Sequence, residues 1–176
     1  AGSLLSCHAR GRAAVHEALN AAYPNAKDFS LPHGDSESRF SCTLLRLSDM
    51  SLYRNSTSGY SCRANATDAV RITLPAHGSV TVASKRASVE AVAGNSGSVC
   101  LTEAVERKVP SDYMGFHFQI PRRDLLSRGH LLTGREFAAA DVAPSIDLRT
   151  PEGAILYRSI ASLFLEVEHL AAIGLG

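Results

Sequence analysis

Residues 69–101 read AVRITLPAHGSVTVASKRASVEAVAGNSGSVCL. Short runs rich in Val, Ile and Thr (AVRITLP, GSVTVAS, ASVEAV, SVCL) are broken by the turn-forming clusters PAHG, SKR and AGNSG. Apolar and polar residues that alternate along such runs mark strands with one buried face. The connections are too short for crossover helices, so neighbouring strands run antiparallel. The same pattern extends outward, through RFSCTLLRLSD, MSLYRNS and YSCRA upstream and ERKVP and GFHFQI downstream. About nine short strands between Arg39 and Ile120 predict an antiparallel sandwich or barrel.

Helices flank this β region. Val15, Leu19 and Ala22 lie at helical spacing between about Arg10 and Tyr23, with Pro24-Asn25 favouring a stop, and SLPHGDSE at 30–37 is a polar loop. Pro121 ends the strand GFHFQI, and RRDLL after it predicts a helix through about Arg128, with a helical turn around Glu136 to Ala140. The last segment is the plainest helix: Thr150 stands at the N-cap, Pro151 at the first helical position and Glu152 in the first turn. Leu156, Ile160, Leu163, Val167 and Leu170 form a seam along it, with Phe164 and Ala171 beside them. The spacing fits packing on the chain's own strands and packing against a second subunit equally well.

Composition excludes several classes. A formal net charge of +1, spread along 176 residues, gives no basic face for a phosphate backbone. No run is apolar enough to span a membrane and the start has no signal-peptide layout, which predicts a soluble, cytoplasmic protein. The four cysteines, Cys7, Cys42, Cys62 and Cys100, lack ligand or disulfide spacing and read as reduced thiols, most of them buried. There is no HxH pair for a metal-binding barrel, no GxSxG elbow and no phosphate loop, so neither a metal nor another cofactor is expected, and no catalytic residue.

What remains is a pocket. If Phe116 and Phe118 face the interior, His117 between them faces away and reads as a structural residue without an acid-base partner. The interior side would then carry Met114, Phe116, Phe118 and Ile120, either as core filling or as one wall of a cavity for a small apolar or aromatic ligand. Arg54, Tyr60, Arg63 and Arg71 are the polar groups available to orient a ligand. Arg71, between Val70 and Ile72, reads as pointing out. Arg63, in YSCRANATD, is the candidate for meeting a carboxylate bidentately.

The order of FSCTLLRLSD, LPAHGSV (74–80), AGNSGSVCL and IPRRDLL (120–126), with the opening helix ending in AAYPNA and the final helix TPEGAILYRSIASLFLEVEHL, resembles the cupin-like N-terminal sensing domain of AraC/XylS-family transcription regulators. The resemblance covers nearly the whole chain. It implies one compact regulatory domain, mainly β: an N-terminal helix and loop at 1–38, an antiparallel cupin-like β-barrel or jelly roll at 39–120, and a helical dimerisation segment at 121–176. DNA would be contacted only through helix-turn-helix units that follow this domain. Carried over by position, the effector pocket is lined by Arg63, Met114, Phe116 and Phe118. The homodimer core is Leu156, Ile160, Leu163 and Val167 of the last helix. Met114 and Phe116 stand where sugar-sensing members place His and Trp, which favours an apolar or aromatic effector over a sugar. A ligand-free dimerisation module with a filled barrel, and a metal-free cupin enzyme, are the alternatives.

Overall fold

The computed structural model describes residues 2–172. In chain order these form β1 (Gly2–Arg10), α1 (Arg12–Ala22), β2 (Ala26–Ser30), β3 (Arg39–Leu47), β4 (Met50–Thr57), β5 (Tyr60–Ala64), β6 (Ala69–His77), β7 (Ser79–Ser84), β8 (Ser88–Val92), β9 (Ser96–Cys100), β10 (Val105–Val109), β11 (Tyr113–Pro121), α2 (Arg122–Thr133), β12 (Ser145–Asp147) and α3 (Pro151–Ala172). The nine alternating runs of the sequence are β3 to β11. The helix after Pro121 runs to Thr133 rather than ending near Arg128.

All strand pairings are antiparallel and they build two sheets, one ordered β1-β3-β4-β11-β6-β9-β12 and the other β2-β5-β10-β7-β8. Inward residues of both sheets form one apolar cluster, including Phe40 and Tyr53 from the larger sheet and Tyr60, Val80, Val82 and Val109 from the smaller. Val15 and Leu19 of α1 complete it, which is the burial their helical spacing predicts. The result is a cupin-like jelly roll, two facing sheets rather than one continuously bonded cylinder.

The first 38 residues contribute more than a helix and a loop. β1 pairs with β3 along its whole length, Gly2 opposite Leu47 to Arg10 opposite Arg39, and β2 pairs with β5 at the edge of the smaller sheet. The polar loop also caps α1. Asp35 Oδ1 accepts a hydrogen bond from the Arg12 backbone N–H at 2.6 Å, where the helix's own N-cap residue, Gly11, has no side chain to offer.

A third layer lies outside the larger sheet. Ile160 and Phe164 of α3 are buried against Leu45, Leu52, Leu74, Phe116 and Leu148, with Leu156, Leu163 and Val167 packed around them. Arg54 on β4 anchors the same helix, its Nη1 donating to Glu168 Oε2 at 2.8 Å with Nη2 2.8 Å from Oε1. The seam expected as a dimer core is therefore used within the chain. A sheet with one apolar outer face needs a cover, and α3 supplies it. Leu170, the last seam position, lies outside the residues whose side chains are described.

Thr150 caps this helix as its sequence position predicts: Oγ1 accepts the Gly153 N–H at 3.1 Å. Thr150→Ala is expected to lower the unfolding free energy by about 1 kcal/mol, read as a lower urea midpoint at unchanged m-value.

Two glycines are required by close approach. Gly78 joins β6 to β7 at φ 73°, and a Cβ there would meet the Asp112 carbonyl oxygen at 2.5 Å. Gly115 lies beside the register shift between β11 and β6, and a Cβ on it would collide with the Tyr113 ring, which folds over it toward His117.

Candidate functional site

The register of β11 decides which residues meet inside. His117 pairs with Thr73 and Tyr53, and Gln119 with Arg71, while Phe116 pairs with Leu74 and Phe118 with Ile72. Side chains of directly paired residues share a face. One face of the strand thus carries Tyr113, His117 and Gln119 toward the smaller sheet, and the other carries Phe116 and Phe118 toward α3. Phe116 stacks on Phe164 at 5.4 Å and meets Tyr157 edge-on at 5.9 Å. The alternation along YMGFHFQI holds, but the faces are the reverse of those expected. Both faces of this strand are buried, so period-2 spacing separates two sets of residues without saying which is inside.

A cavity of about 90 Å³ lies between the sheets, lined among others by Tyr23, Tyr60, Arg71, Thr73, Arg107 and His117. Its floor is one hydrogen-bonded chain. Arg107 Nη2 donates to His117 Nδ1 at 2.7 Å and to Thr73 Oγ1 at 3.3 Å. A guanidinium has only donors, so Nδ1 accepts and the ring is neutral, with its proton on Nε2. Nε2–H then donates to Asn55 Oδ1 at 2.8 Å, and Asn55 Nδ2 donates to Tyr23 Oη at 2.8 Å. Burial, reinforced by the charge of Arg107, holds the His117 pKa well below its usual value. His117 is a satisfied, neutral member of the cavity floor.

The electrostatics of the cavity are one-sided. Burial pushes the Tyr60 phenol up to about 12 and raises Tyr23 and Tyr113 as well, so none is an anion at neutral pH. Burial likewise raises the Cys62 and Cys100 thiols. Among the described residues no Asp or Glu lines the cavity. Arg71 donates to the backbone carbonyls of Asn65 and Glu103. Among the described residues the ion pairs include neither Arg71 nor Arg107. Nε of Arg71, Nε of Arg107 and Oγ1 of Thr67 are buried with no partner among those residues, and all three side chains line the cavity.

The residues singled out from the sequence distribute differently. Arg63 is exposed on the outer face of the smaller sheet, its Nε donating to Glu106 Oε1 across the strand pair at 3.0 Å, because Tyr60 and Cys62 take the inward positions of β5. Met114 is 39% exposed and lines a surface groove with His8, Arg39 and His77. Phe116 belongs to the α3 interface. Phe118 also packs there, though part of it borders the cavity. Arg71, expected to point out, points in. Arg107 escapes a reading of the sequence because ERKV looks like a solvated run between charged neighbours; the signal that finds it is the period-2 set Val105, Arg107 and Val109 on the buried face of β10. Cys42, Cys62 and Cys100 are buried free thiols, and Cys7 is a half-buried one. Among the described residues no three His, Cys, Asp or Glu side chains converge as a metal site, and no helix is long and apolar enough to cross a membrane.

No family model and no curated protein sequence matches the chain. Among solved structures, the AraC-like transcriptional activator CuxR superposes on 98% of the chain with a TM-score of 0.70 at 18% sequence identity. The two share one fold. The chain spans 63% of that activator's length. The likeness drawn from LPAHGSV, AGNSGSVCL and IPRRDLL thus stands at the level of fold, an AraC-like regulator's jelly roll with its flanking helices. An ethanolamine utilization protein from Salmonella typhimurium covers 52% of this chain, which spans 72% of it, with a TM-score of 0.41 at 16% identity. EutQ from Clostridium difficile covers 52%, with this chain spanning 69% of it, at a TM-score of 0.40 and 11% identity.

Proposed function

We propose that this chain is the effector-binding and dimerising regulatory domain of an AraC-type DNA-binding transcription regulator. The observation that carries the reading is a cavity with a hydrogen-bonded polar floor between the sheets of a fold shared, over 98% of this chain, with an AraC-like activator. A filled interior, the alternative expected of a pure dimerisation module, fits the cavity less well. DNA contact is assigned to a separate domain, in keeping with a net charge of +1. Ligand burial beside His117 would act on β11, whose opposite face carries Phe116 against α3, so a shift of that strand is felt by the helix.

With Leu156, Ile160, Leu163 and Val167 engaged within the chain, association falls to the outer face of α3. Ile155 is 59% exposed and Leu165 65%, with the small Ser159 and Ser162 between them permitting close approach. Sedimentation tests this: Leu165→Asp is expected to turn a dimer into a folded monomer, and a variant that remains dimeric places the interface elsewhere. Sensing is tested by thermal stability against neutral sugars, polyols, aromatic alcohols and organic acids. A true effector at a hundred times its Kd stabilises by about 2.7 kcal/mol, and no shift from any of them removes the sensing role.

A further inference from the structure

We infer that the cavity between the sheets takes a small organic acid, whose carboxylate sits between the guanidinium groups of Arg71 and Arg107. This deepens the effector-binding reading above and rests on it.

Two half-buried guanidinium groups, each with a buried Nε, face one small space whose lining holds no carboxylate, phenolate or thiolate among the described residues, Glu103 acting on Arg71 only from outside that lining. A buried charge without a counter-ion is costly, and proteins keep one where something else supplies the opposite charge. Arg71 is held from behind by two backbone carbonyls, and Arg107 by His117 and Thr73. Each side chain is thus fixed in place while its Nε–H is left without a partner. A guanidinium presents Nε–H and one Nη–H as a parallel fork, the geometry a carboxylate accepts bidentately. The orphaned Thr67 Oγ1 adds a hydroxyl at the same cavity.

His117 contributes by being neutral: its Nδ1 accepts from Nη2 of Arg107, while Nε of that group keeps no partner among the described residues. Apolar and aromatic lining comes from Ile72, Val82, Val105 and Tyr60, with Asn25, Ser98 and Gln119 adding polar groups. About 90 Å³ suits a carboxylate with a short chain of a few carbons behind it. An engineered apolar cavity of roughly 150 Å³ holds benzene, so an aromatic ring, a nucleotide or a long fatty chain does not fit this space as it stands.

The whole chain is tested with propionate and butyrate, each paired with its neutral amide, and with inorganic phosphate, by thermal shift and calorimetric titration at pH 7. At least one acid is expected to bind, and its amide to bind at least tenfold more weakly. Arg107→Met and Arg71→Met, checked for fold by circular dichroism, are each expected to weaken the acid at least tenfold. Acid and amide binding alike, full affinity in both variants, or binding of phosphate alone each overturns the carboxylate assignment. If only neutral sugars, polyols or alcohols stabilise the protein, the carboxylate assignment fails and the sensing role stands. If no compound of either kind binds, both fail.

Discussion

Phe164→Ala is expected to lower the unfolding free energy by about 3–5 kcal/mol, the cost of deleting a fully buried aromatic side chain. Phe164 is 1% exposed and stacks on Phe116 at the centre of the layer between α3 and the larger sheet. Its neighbours Leu52, Leu74 and Ile160 come from three different elements. The gap left by truncation therefore cannot close by moving one of them. Because the contact lies within the chain, the loss in urea midpoint is expected to be the same at low and high protein concentration. A midpoint change that appears only at low concentration would mean that this face of α3 belongs to a subunit interface after all.

The second large effect is a pH dependence set by His117. Its folded pKa is depressed by burial and by Arg107, while the unfolded side chain titrates near 6.5. Above that value both states carry a neutral ring and His117 contributes no slope. As pH falls through about 6.5, the unfolded chain takes up a proton that the folded chain refuses, so stability is lost from there downward until the depressed folded pKa is reached. The loss approaches about 1.4 kcal/mol for each pH unit below the unfolded pKa. Urea melts of wild type and His117→Asn between pH 7 and 5 isolate it: the wild-type curve should fall more steeply, and parallel curves would show that the ring is already charged or exposed in the folded state.

Much of the fold is legible in the sequence because hairpin turns and period-2 runs are local signals. The nine runs from Arg39 onward correspond to β3 through β11, and Thr150-Pro151 marks the start of α3. β1, β2 and β12 are not legible, since an edge strand is defined by its partner: β12 is a strand only because Ser145 to Asp147 pair with Ser96 to Ser98. The site is less legible than the fold, for one physical reason. Once α3 covers the outside of the larger sheet, β11 and β6 are buried on both faces, and apolar residues no longer identify the interior. Phe116 and Phe118 then turn to the helix, and the polar residues His117, Thr73 and Arg71 turn inward. The chemistry anticipated at Arg63, a guanidinium free to meet a carboxylate, falls in our proposal to Arg71 and Arg107, whose Nε atoms lack a partner among the described residues.

Carboxylate capture between the two arginines is tested most directly by a crystal structure of the domain grown with whichever panel acid gives the largest thermal shift. Difference density is expected between the sheets, with the carboxylate oxygens within salt-bridge reach, about 4 Å, of both Arg71 and Arg107. Ordered water alone in that space, with the acid on the outer surface of the domain, would contradict it.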